Sequence, residues 1–219
     1  MKKVFSFWAV CLLCQAASAQ NGFYIAPSFS AGTGYVHGQD QSSPQPGLFS
    51  YQASAGIGYQ YKNWRLQSGL QYFSSGTRYT LGSDFALRNP EGPVFLQQRY
   101  THIGIPLLLG YTFFPQKSFH LVPFLGLTTS YNINVREDSR GLLRTMEYRP
   151  FTAMYHRISL WGNAQVFGEY QVNNKIHVFG GPTLQYMLSG FNKAPEYGAT
   201  SASQRNYNIR FELGTRIAF

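Results

Sequence analysis

Residues 207–219 read Y-N-I-R-F-E-L-G-T-R-I-A-F, and this alternation constrains the fold more than any other feature of the chain. Tyr207, Ile209, Phe211, Leu213, Thr215, Ile217 and Phe219 take one parity, and Asn208, Arg210, Glu212, Gly214, Arg216 and Ala218 take the other. A strand sends successive side chains to opposite faces, so the segment has one apolar face and one polar or small face. A sheet built this way has two solutions. Either the apolar face lines a core and water takes the polar face, or lipid takes the apolar face and the polar face turns inward.

The pattern recurs with turn residues between the repeats. Residues 23–32 set Phe23, Ile25, Pro27 and Phe29 against Tyr24, Ala26, Ser28 and Ser30. Residues 49–61 set Tyr51, Ala53, Ala55, Ile57 and Tyr59 against Gln52, Ser54, Gly56, Gly58 and Gln60. Further alternating segments are read at residues 64–79, 97–114, 119–133, 156–170 and 175–189, and the terminal segment is the eighth. Pro106, Pro123 and Pro182 fall inside them, and proline cannot donate to a ladder, so bulges or irregular pairing are expected there.

Connection lengths alternate as well. Three are tight, near residues 62–63, 115–118 and 172–174; four are long, near residues 33–48, 80–96, 134–155 and 190–204. This order closes for eight strands with both chain ends on one side, which predicts an all-β, eight-stranded antiparallel up-and-down barrel. A soluble barrel of lipocalin type is the competing arrangement. Its exterior would carry many Lys and Glu, whereas the polar parity here is mainly Gln, Ser, Asn and Gly with a few Arg. Charged residues are only 12% of the chain and aromatics reach 17%. Lys62, Lys117 and Lys175 sit in the short turns, flanked by aromatics that suit a membrane interface. The expectation is therefore a transmembrane barrel in the outer membrane of a Gram-negative cell.

The first residues support an exported chain. Lys2 and Lys3 precede an apolar run at residues 4–14, followed by Ala17-Ser18-Ala19. This reads as a signal peptide over residues 1–19, leaving a barrel domain over residues 20–219. Cys11 and Cys14 are the only cysteines and both lie in the leader, so neither a disulfide nor thiolate chemistry is expected in the mature chain.

Residues 103–111, I-G-I-P-L-L-L-G-Y, resemble the I-P-L-L-L strand of PorT-like outer-membrane barrels of the Bacteroidetes type. Residues 122–126, V-P-F-L-G, followed by Ser130-Tyr131, resemble the next strand of that family. In size the chain is similar to OmpA- and OmpX-type barrels. Its final aromatic, Phe219, resembles the terminal signal read by the barrel-assembly machinery. The resemblance implies a fold and an envelope location and leaves the activity open.

The histidines carry no one-strand catalytic pattern. None of His37, His102, His120, His156 and His177 has Ser two residues later, the same-face spacing that lets an imidazole activate a hydroxyl on one strand. Asp40, Asp84 and Asp138 have no Asp or His as near neighbour. No enzyme, no catalytic residue, no cofactor and no metal site is expected, and His102 and His177 are read as hydrogen-bonded interior histidines. By parity Arg65, Arg99, Arg157, Glu169, Arg210, Glu212 and Arg216 point inward. Arg65, Glu169, Arg210, Glu212 and Arg216 are taken as a lumen charge network that plugs the barrel, with Glu212 between inward arginines.

The formal charge of +9 becomes +7 without Lys2 and Lys3. No basic run points to nucleic acid. Lipopolysaccharide phosphates and other anionic envelope surfaces are the expected partners, together with outer-membrane lipid and an envelope protein of unstated identity, around a monomer. The third long loop is the candidate binding surface through Arg136, Arg140, Arg144 and Arg149. The functional expectation is a structural or interaction role in the envelope. A narrow channel is the first alternative and a lipid-modifying enzyme the second.

Overall fold

The computed structural model describes residues 21–37, 47–80, 95–140, 157–189 and 205–219. Eight strands run in order: β1 Gly22–His37, β2 Leu48–Tyr61, β3 Trp64–Thr80, β4 Phe95–Tyr111, β5 Phe119–Arg140, β6 Ile158–Gln171, β7 Ile176–Met187 and β8 Arg205–Ala218. Each pairs antiparallel with its sequence neighbour, and β1 pairs with β8, so the sheet closes. Closure leaves no edge, the condition under which a sheet can stand in hydrocarbon.

The two faces are inverted relative to a soluble protein. Ile105, Leu107, Leu125, Ile57, Leu70, Phe211 and Leu213 are each more than half exposed on the outside. Arg65, Glu169, Arg210, Glu212 and Arg216 are buried inside. A continuous apolar exterior of this extent is incompatible with water and matches the lipid belt of a membrane barrel. Tyr61, Trp64, Phe113, Phe114, Phe119 and Tyr170 ring the short-turn end. Lys62 lies 5.5 Å from the centre of the Tyr61 ring and Lys117 lies 5.3 Å from that of Phe114.

Asparagine side chains stitch the short turns. Lys62 takes a left-handed backbone (φ 56°), and its amide donates to Asn21 Oδ1 at 2.7 Å. Asn173 Oδ1 accepts from the amides of Lys175 (2.9 Å) and Ile176 (2.8 Å), an Asx turn that carries the chain into β7.

The prolines loosen pairing without moving register. Contact between β3 and β4 lapses from Ser68↔Leu107 to Gln71↔Gly104, opposite Pro106, and resumes in the same frame. Ser68 Oγ donates to the Pro106 carbonyl at 2.8 Å. The β6–β7 ladder lapses the same way at Pro182, while Pro123 sits in an unbroken run. The register shift occurs elsewhere, between Thr101 and His102, whose β5 partners are Asn134 and Asn132. Ile133 is thus skipped. A bulge needs one residue too many rather than one donor too few.

The fifth strand is longer than expected. It continues to Arg140, so Arg136 and Arg140 belong to a paired strand rather than to the third loop. Arg144, Arg149 and His156 lie outside the described residues, as does the expected signal peptide.

Candidate functional site: the layered lumen

Inner-face glycines let the interior fill with rings. A Cβ on Gly58 would sit 2.2 Å from Tyr24, one on Gly110 2.5 Å from Phe124, and one on Gly214 2.4 Å from Phe179. Strand alternation brings these rings into one apolar layer of Tyr24, Ala26, Leu108, Val122, Phe124, Phe167 and Phe179. Phe167 and Phe179 are 4.9 Å apart by ring centres, within the range of favourable aromatic pairing.

Below this layer, toward the short turns, lies a charge cluster whose ion-paired core joins three strands. Arg65 on β3 donates from Nη1 to Glu169 Oε2 at 2.5 Å and from Nη2 to Oε1 at 3.1 Å. Arg216 on β8 donates to Oε1 from Nε at 3.1 Å and from Nη2 at 2.7 Å. Arg65 and Glu169 are each only 2% exposed. The fork geometry of guanidinium suits this shared carboxylate, and the pairing offsets the cost of taking three charges out of water. Outer-membrane barrels keep short turns in the periplasm, so this cluster lies at the periplasmic end of the lumen.

His120 and His177 complete the cluster. His120 is the direct cross-strand partner of Glu169, and His177 is that of Arg216. Their Nδ1 atoms stand 3.6 and 3.0 Å from Glu169 Oε1. Two imidazoles and a carboxylate within 4.8 Å form a donor set of the kind that holds divalent transition metals. The arginines argue against that use here. A dication on Oε1 would displace both guanidiniums and leave them buried beside it, adding repulsion to lost hydrogen bonds. The cluster is a buried salt-bridge network. His120 was not singled out in the sequence; its neighbours there give no sign that Glu169 lies across the ladder.

Above the apolar layer the lumen is polar again. Ser28 Oγ donates to Glu212 Oε1 at 2.5 Å. Among the described residues Glu212 forms no ion pair with an arginine. It faces the lumen as expected, on the inner face between Arg210 and Arg216 of its own strand, but the carboxylate that receives two guanidiniums is Glu169. Arg210 instead donates to Gln52 Oε1 at 2.8 Å, Ser50 Oγ at 3.3 Å and Gln185 Oε1. Its guanidinium lies 5.8 Å from the Phe73 ring centre, beneath a second cluster of Phe73, Tyr100, Val135, Trp161 and Met187.

Arg99 and Arg157, expected inside, are exposed. Arg99 shares the parity of the outward-facing Ile103 and Ile105, and Arg157 precedes β6. Ser75 Oγ and His102 Nε2 are 3.1 Å apart across adjacent strands, a pairing that a same-strand search misses. Both are fully buried and His102 Nδ1 has no partner, so no third group orients the imidazole. The contact lacks the access and the orienting partner of a nucleophile–base pair. Phe219 is 76% exposed and its amide donates to the Phe23 carbonyl at 3.0 Å, closing the seam.

The fold and its inverted polarity define the class: an integral β-barrel protein of the Gram-negative outer membrane. One comparison with a known protein supports the fold. The chain is similar to Neisserial surface protein A, with 16% identity, a TM-score of 0.51, and coverage of 92% of this chain and 99% of that one. A major outer membrane protein from Thermus thermophilus gives 10% identity, a TM-score of 0.49 and coverage of 90% and 99%. OprG from Pseudomonas aeruginosa gives 11% identity, a TM-score of 0.42 and coverage of 94% and 98%. No protein-family model and no curated relative matches the sequence.

Proposed function

We propose that the barrel acts through its outer surfaces, as a structural or interaction protein of the envelope, and that its lumen passes no solute. One observation carries this reading. The lumen is filled from the Arg65–Glu169–Arg216 cluster, through the layer around Phe124, Phe167 and Phe179, to the second cluster around Phe73 and Trp161. An eight-stranded barrel is just wide enough for side chains to fill. A largely apolar layer also resists wetting. With no passage and no accessible nucleophile among the described residues, what remains to act is the outward face and the loops. The PorT-like resemblance of residues 103–111 and 122–131 accords with this reading.

Planar-bilayer recording of the purified barrel tests it. The expected record is flat, and discrete conductance steps would favour the narrow channel instead. Crosslinking in intact cells should recover an envelope partner or outer-membrane lipid. A change in lipid A mass on overexpression would favour the lipid-modifying enzyme.

A further inference from the structure

The outward face of β3–β5, just beyond the lipid belt at the long-loop end, gathers arginines on one side of the barrel. Arg99 and Arg136 are direct cross-strand partners, and both are exposed. The register shift at Thr101/His102 creates this pairing. Without it, Val135 would stand opposite Arg99; with it, Val135 turns inward at 8% exposure and Arg136 turns out. Arg78 on β3 joins from the other flank. With the Gln97 amide oriented to suit both groups, Gln97 accepts from Arg78 Nε at 3.1 Å and Nη2 at 2.8 Å. Arg157 reaches around from the start of β6, its Nη1 3.5 Å from the Tyr131 hydroxyl. Glu137 and Asp138 are the two acids of this stretch of β5, paired in the backbone with Gln98 and Gln97. Four arginines thus gather on this face.

Tyr72, Ile103, Tyr131 and Ile133 lie directly below, each roughly two-fifths exposed on the lipid face, which sets the arginines at headgroup depth. The same height on β1, β2, β7 and β8 is occupied by Tyr35, Phe49, Tyr51, Tyr186 and Tyr207, with Arg205 alone as a described cation there. Guanidinium forks match the oxygens of a doubly charged phosphate.

We infer that this face is a binding site for the phosphorylated headgroup of an outer-leaflet glycolipid, whose acyl chains lie on the Tyr72–Ile103–Tyr131 surface. The inference rests on the reading of the barrel as a protein that acts through its outer face, and names one partner for it.

The test uses the full-length mature barrel folded in phosphatidylcholine vesicles with or without lipid A, followed by the temperature at which the compact gel band is lost. Diphosphoryl lipid A should raise that temperature for the wild type, and fully dephosphorylated lipid A should not. R99S/R136S should need at least about tenfold more lipid A for the same shift, as loss of two arginine–phosphate contacts implies. K62S/K175S, altered at the opposite rim, should behave as wild type. R99Q/R136Q, which keeps more side-chain bulk, serves as the second variant should the serine pair not fold. An unchanged lipid A response in the folded arginine variant overturns the site. An equal shift with inorganic phosphate alone, or with dephosphorylated lipid A, overturns the headgroup assignment. A compact band in phosphatidylcholine alone shows the barrel intact, so loss of this site stays distinguishable from failure of the broader reading, which the bilayer and crosslinking experiments address.

Discussion

At the residue scale, alternation assigns a side chain to a face but not to a partner. Parity alone puts Glu169 and Glu212 on the same side of the sheet, yet only Glu169 receives two arginines. The choice comes from stagger between non-adjacent strands, which brings β3, β6 and β8 together across the lumen and is written nowhere in local sequence. Arg99 was misplaced for a plainer reason, since its parity follows Ile103 rather than the arginines; Arg157 has the inward parity of Ser159 and Trp161 but lies ahead of the paired strand. The energetic consequence is testable. Glu169→Gln leaves Arg65 and Arg216 facing each other in a buried site, and should cost about 3–5 kcal/mol, read from the denaturant midpoint in vesicles. Replacing all three with methionine removes the charges together and should recover most of that loss, because a buried ion group is often no better than packed apolar side chains of similar volume. If the triple variant is no more stable than E169Q, the cluster contributes something beyond mutual neutralisation.

At the element scale, strand number, order and closure were legible because each segment carries its own period-2 signal and turn residues. Strand ends were not. The fifth strand gains residues 134–140 beyond its expected end because β4 supplies partners as far as Phe95, a tertiary fact with no local marker. The prolines were legible as weak points, but their effect was smaller than a bulge. A missing donor interrupts one ladder while the other neighbour holds the frame, as Pro106↔Thr128 shows. Opposite the Pro106 lapse, Gly69 adopts φ +149°, and a Cβ there would stand 2.2 Å from the Ala55 carbonyl oxygen. Gly69→Val should therefore sharply reduce the heat-modifiable fraction, combining backbone strain of about 1–3 kcal/mol with a backbone clash. Gly162→Ala is the control: its nearest foreign atom would be Leu188 Cδ1 at 3.7 Å, an ordinary contact, and folding should be unchanged. Equal tolerance at both positions would mean the β2–β3 ladder can open around residue 69.

At the scale of the whole molecule, closure and filling are separate properties and call for separate measurements. Closure pairs every strand on both sides, so the unboiled protein should migrate as a compact band in dodecyl sulfate gels and shift on boiling. Filling decides conduction. On the proposed reading the charge cluster, the apolar layer above it and the second cluster around Phe73 and Trp161 block the lumen in series, and removing one of them leaves the others. R65S/E169S/R216S should thus remain heat-modifiable yet show no conductance, because Phe124, Phe167 and Phe179 still close the section above. Adding Phe124→Ala, Phe167→Ala and Phe179→Ala removes three rings from a layer in which Phe167 contacts the other two, at 6.0 and 4.9 Å by ring centres. The second cluster around Phe73 and Trp161 still fills the section above, so the six-fold variant should also give a flat record in a planar bilayer. Steps from the charge-cluster variant alone would show that the salt bridge by itself is the barrier. In that event the narrow channel, gated at Glu169, becomes the better account of the molecule.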